Sequence, residues 1–164
     1  MESKLNQLIE LLIELIDDEF TLQGHPDTGR FQESLEGLIE YDGPDIKVQI
    51  WGNDYGLYLS DGVPPESVPY TRRKRGQGSG GESKYITGLH NWVQRKLGIS
   101  DHREALSIAF AIAERHSEEG FPIVDGQLGS KFLEEVEEKH KKRIDELIEE
   151  FYDIQVRKFL KKDE

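Results

Sequence analysis

The side chains best suited to acid–base or metal chemistry near neutral pH are the five histidines, His25, His90, His102, His116 and His140. No two lie three or four residues apart, the spacing at which helical neighbours share a metal ion. Asp101 and His102 are adjacent, and adjacent helix-start residues point in different directions, so a surface or capping role is expected there rather than a dyad. The chain has no cysteine, which excludes disulfides, thiolate metal sites and cysteine nucleophiles. It also has no Gly-x-Ser-x-Gly, His-Glu-x-x-His or Walker-type sequence. The glycines within 76–81 follow no strand, and Lys84 lacks the Gly-Lys-Ser/Thr setting of a phosphate loop. With 33 Asp and Glu residues, pairs of carboxylates carry no information. No catalytic residue, metal or cofactor is expected, and the chain reads as a non-enzyme.

The densest basic run is Arg72, Arg73, Lys74 and Arg75. Three readings are open for it: contact with nucleic-acid phosphate, contact with an acidic surface of a neighbouring copy, or an idle mobile loop. No aromatic is interleaved to stack bases, and Tyr70 stands alone beside it. The charge around the run is uneven. Residues 1–70 hold 3 basic and 15 acidic side chains, whereas residues 71–164 hold 18 of each. All of the formal net charge of −12 therefore precedes Thr71. That balance argues against a general nucleic-acid coat or an anionic-membrane binder, both of which need a positive surface.

The elements that must position these residues follow from periodicity. Residues 4–20 read as a helix, with Leu5, Leu8, Ile9, Leu12, Leu15, Ile16 and Phe20 at spacings of three and four and Ser3 as its N-cap. Leu11 and Ile13 widen the apolar face, so more than one neighbour is needed to cover it. Asp17, Asp18 and Glu19 oppose the helix dipole at its C-terminal end unless a cation lies nearby. Residues 31–41 read as a helical turn running into a strand. The turn Asp42-Gly43-Pro44-Asp45 then predicts a hairpin of 36–41 with 46–52. Tyr55, Leu57, Tyr58 and Leu59 form a short aromatic-aliphatic element. Residues 62–83 read as a flexible Pro/Gly/basic loop.

Three further helices are expected. The first spans 84–97 with Gly98 as its stop. The second opens at Ser100 or Asp101, with Asp101 and Glu104 as a capping box, and ends at Gly120. The third runs from about 130 to 160, with Glu135–Lys139, Glu137–Lys141 and Glu138–Lys142 pairs along it. Tyr55, Tyr58, Tyr85 and Trp92 are expected in the core. The last helix is longer than a domain of this size needs, so part of it is expected to pack on another subunit. The fold class is α+β: one domain over 1–164, with a small antiparallel sheet packed by three to four helices.

The order of segments resembles the small neck and tail-completion proteins of tailed bacteriophages. A first helix precedes Thr28-Gly29-Arg30-Phe31 with Ser34-Leu35, similar to that family's Thr-Gly-x-Leu-x-x-Ser-Ile segment before a hairpin. Tyr55, Tyr58, Leu59 and Gly62 follow it. An alanine-rich helix (Ala105, Ala109, Ala111, Ala113) then carries Ile112-Ala113-Glu114-Arg115-His116 and ends at Glu119-Gly120. The likeness covers about residues 1–135. The long basic loop and the extended last helix depart from the pattern.

The resemblance implies a structural virion protein, made in the host cytoplasm, that forms a homo-oligomeric ring at the head–tail junction or tail terminus. Its partners would be itself, other connector or tail proteins and, non-specifically, packaged DNA. On this reading Arg72 to Arg75 contact a subunit or DNA, and Leu5, Leu12, Ile16, Leu147, Phe151 and Phe159 pack between subunits. The alternative is a nucleic-acid-binding accessory protein using residues 72–75. No membrane contact is expected: no apolar run approaches the roughly 20 residues of a span, and the N-terminal stretch lacks the basic region of a signal peptide.

Overall fold

The computed structural model describes residues 2–25, 28–43, 45–71 and 83–160. The described residues form an α+β fold, with five helices and two small antiparallel two-stranded sheets among them. The sequence reads as one domain, and the backbone gathers into two compact units: Met1–Ser60 with Lys131–Glu164, and Asp61–Ser130.

In the first unit, α1 (Glu2–Leu22) packs along α5 (Phe132–Leu160) and also against the hairpin of β1 (Glu36–Asp42) and β2 (Asp45–Trp51). Its wide apolar face thus has the two neighbours it needs. Ser3 lies inside the first turn and is not the cap, because the helix already starts at Glu2. The hairpin register runs from Glu36 opposite Trp51 to Asp42 opposite Asp45. Where α1 crosses the hairpin the backbones come close: a Cβ on Gly37 would run into the Ile9 side chain.

The heart of this unit is aromatic. Phe20, Phe31 and Phe132 meet with ring centroids 4.6–5.9 Å apart, two of the three pairs edge to face. Leu59 from α2 (Tyr55–Asp61) closes the cluster, and Leu35 and Leu133 pack on its margin. The element at 55–61 is a helix, and at its start Asn53 Oδ1 accepts from the Tyr55 amide at 3.0 Å, as a local cap does. Tyr55 and Tyr58, expected in the core, are instead exposed; the buried positions of α2 are Gly56, Leu59 and Ser60.

The start of α5 is capped from a distance. Ser60, fully buried, accepts the Lys131 amide on its carbonyl at 2.9 Å and the Leu133 amide on its hydroxyl at 3.3 Å. Along α5 the Glu135–Lys139 pair forms, at 2.6 Å. Lys141 and Lys142 do not take the expected Glu137 and Glu138. They reach forward to Asp145 and Glu146 one turn on.

The second unit is built on α3 (Lys84–Leu97) and α4 (His102–Glu119). Ser83 caps α3 through the Ile86 amide, and Asp101 Oδ1 caps α4 through the Glu104 amide at 2.8 Å. Gly98, at φ 67, ends α3. Ala105, Ala109 and Ala113 are fully buried, and side chains this small let α3 and α4 approach closely. Ile86 and Val93 fill the α3 side of the core, while Trp92, expected inside, is 38% exposed.

Two short pieces complete this unit. Val63 and Phe121 exchange backbone hydrogen bonds of 2.7 and 3.0 Å. The hairpin of β3 (Ile123–Val124) and β4 (Gln127–Leu128) turns on Asp125-Gly126, both at positive φ. This hairpin is not among the elements expected from periodicity; its signal is the Asp125-Gly126 pair between short apolar flanks. Residues 62–71 of the expected long loop hold the Val63 bridge and a 3-10 turn at Pro65–Ser67.

Candidate interaction surfaces

The basic run Arg72, Arg73, Lys74 and Arg75 lies outside the described residues. The remaining candidates divide between the two units.

In the first unit the seam between α1 and α5 holds a buried, ion-paired carboxylate. Glu19, 5% exposed, receives Lys139 Nζ at 2.9 Å on each of its two oxygens, and Gln23 at 3.0 Å. Lys139 also holds Glu135. This lysine is the cation needed to offset the acidic end of α1. Burial pushes the Glu19 carboxyl up, but its hydrogen bonds from Lys139 and Gln23 outweigh that and hold it below its ordinary 4.5. The Lys139 ammonium is held above its ordinary value by its bonds to Glu135 and Glu19.

A depressed carboxylate adds stability that is complete above the unfolded value and is lost as pH falls through the folded one. The thermal midpoint of this unit should therefore fall with acid below about pH 4.5, and Glu19→Gln should flatten that fall. Circular dichroism melts between pH 3 and pH 6 (roughly that range) check it; an equal slope in both proteins would contradict the assignment.

The residues expected to pack between subunits take several positions here. Leu5 and Phe151 are buried at 3% and 6% exposure within the chain. Leu147 is half-buried and packs on the Leu11, Leu15 and Val136 cluster. Leu12 and Ile16 are half-buried and line an apolar groove of about 360 Å³ between α1 and α5, with Leu133, Val136 and Ile144. Phe159 lies in α5, with its side chain outside the described residues.

The residues that carry the phage resemblance have definite structural work in this unit. Phe31 is in the aromatic cluster and Leu35 at its edge. Ser34 donates to the Phe31 carbonyl at 2.6 Å and accepts from the Asn53 amide at 2.9 Å, tying the turn before β1 to the exit of β2. A Cβ on Gly56 would strike the Phe31 ring. The solvent face of the hairpin exposes Leu38 at 42% and Trp51 at 59%.

In the second unit, folding brings together histidines that are far apart in sequence. His116 Nδ1 lies 2.6 Å from the Tyr85 hydroxyl, and its ring stacks on Phe121 with centroids 4.3 Å apart. Burial pushes the Tyr85 phenol up to about 12 and the His116 imidazole down. Tyr85 therefore keeps its proton and donates it, and His116 accepts as the neutral ring. The pair pins α3 to the end of α4.

His90 is 7% exposed and meets His102 edge to face at 4.7 Å between centroids. Its Nε2 is buried without a hydrogen-bond partner. Among the described residues no three His, Asp or Glu side chains gather as a metal site would require. His25 sits beside Phe20 and Phe132, where burial lowers its pKa, and His140 is half-buried on α5. Asp101 is the helix cap that its position predicts, and His102 begins the helix beside it. Among the described residues no helix is long and apolar enough to cross a membrane.

A scan against protein-family models finds no match, and searches of curated proteins and of solved structures likewise find none.

Proposed function

We propose that the chain is a structural virion protein of a tailed bacteriophage, acting as a homo-oligomeric ring at the head–tail junction or tail terminus. The observation that carries this reading is the order of segments. A wide apolar helix leads into the Thr28–Leu35 turn, then a hairpin, then Tyr55–Gly62 and, after α3, an alanine-rich helix ending at Glu119-Gly120. Exposed apolar side chains on the hairpin and an open α1–α5 groove support function through surfaces. In this reading the basic 72–75 run meets the acidic 1–70 surface of the next copy.

Sedimentation velocity of the full chain over a range of salt tests it. Association between copies should weaken as salt rises, and replacing Arg72, Arg73, Lys74 and Arg75 together by Glu should weaken it further. Salt-sensitive DNA binding that disappears on replacing the four by Ser, with no self-association, would favour the nucleic-acid-binding alternative.

A further inference from the structure

The charge of α3 departs from that of the rest of the chain. Residues 83–100 hold Lys84, Arg95 and Lys96 and no Asp or Glu, the longest acid-free stretch in a chain with 33 acidic residues. On α5 and α4, basic side chains meet carboxylates one turn away in the same helix, as Lys141 meets Asp145 and Arg115 meets Glu119. α3 has no carboxylate of its own to offset its cations. Ile86, His90 and Val93 are buried along one side of the helix, so the opposite side is its solvent face. That face carries Lys84, Gly88, Asn91, Trp92 and Arg95, with Lys96 on its flank, and all six are exposed. Lys84 and Lys96 stand about 18 Å apart along the helix.

Two further features mark this face. Trp92, 38% exposed, stands between the cations. Gly88 lies one turn before it, in a helix interior where glycine is disfavoured. No atom among the described residues comes within 4 Å of the position that a Cβ on Gly88 would take, so packing gives no reason for the glycine. Helical side chains lean toward the N-terminus, so the space over Gly88 is the space beside the Trp92 ring. The face is therefore an open aromatic slot flanked by positive charge, which the basic 72–75 run, with no interleaved aromatic, does not offer. Phosphate answers the charge, and a flat base fills the slot by stacking. An acidic protein surface would meet the cations but brings no ring to Trp92, and a duplex keeps its bases stacked on one another. The net charge of −12 lies before Thr71, outside this stretch.

We propose that the solvent face of α3 binds single-stranded nucleic acid, with Trp92 stacking on a base over Gly88 and with Lys84, Arg95 and Lys96 meeting the phosphates. The inference goes beyond the ring reading and does not depend on it. With three cations engaged, binding is weak and salt-sensitive: the logarithm of affinity should fall against that of salt with a slope of about −2.

Fluorescence anisotropy of a labelled oligodeoxythymidylate of about 12 residues, titrated with the full chain at low salt, reads the affinity. Replacing Lys84, Arg95 and Lys96 together by Gln should weaken binding by ~10-fold or more and remove most of the salt slope. Trp92→Ala should weaken it by ~5-fold or more, and Trp92→Phe should restore most of the loss, because a phenyl ring also stacks. Gly88→Leu, which fills the slot, should weaken binding with the helical spectrum unchanged. In Trp51→Phe protein, the emission of Trp92 should be quenched as the oligonucleotide binds. Binding that leaves this emission unchanged, or equal affinity for polyglutamate or for a duplex of the same length, would overturn the proposal. So would no binding at all, or binding that survives the triple Gln change and is lost when Arg72, Arg73, Lys74 and Arg75 are replaced by Ser. Self-association is followed by sedimentation without nucleic acid, so the ring reading stands or falls on its own test.

Discussion

Phe132→Ala should cost the first unit about 3–5 kcal/mol, a large part of the roughly 5–15 kcal/mol that a domain has. Phe132 is fully buried and packs edge to face on both Phe20 and Phe31. Removing its ring leaves a cavity bounded by stiff aromatic neighbours and helix backbone, which collapse poorly into it. The change also sits at the first residue of α5, beside the Lys131 and Leu133 amides held by Ser60, so the start of the helix loosens with the core. Trp51 lies on the hairpin of the same unit, and Trp92 belongs to the other. In a Trp92→Phe background, urea unfolding followed by Trp51 emission should show the loss. An unfolding midpoint within ~0.5 M of the parent would contradict the central place given to this ring.

Gly120→Ala should destabilise the second unit by about 3 kcal/mol, through backbone strain joined to a steric clash. Gly120 ends α4 at φ 80 and ψ −175, a conformation that residues with a Cβ scarcely adopt. The added carbon would stand 2.6 Å from the Val63 carbonyl oxygen and 2.8 Å from Leu128. The first of these is backbone and is held by the Val63–Phe121 hydrogen bonds, so it cannot swing aside. Relief therefore requires breaking that bridge or unwinding the last turn of α4, where His116 is held by Tyr85 and Phe121. Trp92 emission in a Trp51→Phe background reports this unit. Unchanged stability would mean that the turn relaxes without those contacts.

What the sequence made legible was local. The hairpin of β1 with β2, the Asp101 cap and the Gly98 stop each depend on residues close in sequence, and each appears near where the spacing places it. The width of the α1 apolar face also called for more than one neighbour, and α5 and the β1–β2 hairpin both pack on it. Interactions between distant residues were not legible. Glu19 and Lys139 are 120 residues apart, Ser60 and Leu133 are 73 apart, and no periodicity links them. The 55–61 segment reads from composition only as a short aromatic-aliphatic element; it is a helix whose first amide is held by Asn53 Oδ1.

The aromatics mislead for a related reason. Tyr55, Tyr58 and Trp92 have core composition, but glycine, leucine, serine and alanine occupy the tight positions beside them, leaving the rings outside. The histidine pairs His90–His102 and Tyr85–His116 likewise arise from α3 lying on α4, which spacing along the chain does not reveal. The interaction residues divided in the same way. Leu5 and Phe151 are taken up inside the chain, while Leu12 and Ile16 remain at an open groove.

In the function we propose, this chain is a ring-forming component of a virion neck or tail end. Cryo-electron microscopy of intact tailed-phage particles containing the chain tests it most directly. The expected result is a closed ring of identical copies at the head–tail junction or tail terminus, with the β1–β2 hairpin and the α1–α5 pair recognisable in each copy. Particles that are complete without the chain, or density that places it as single copies bound along nucleic acid, would contradict it.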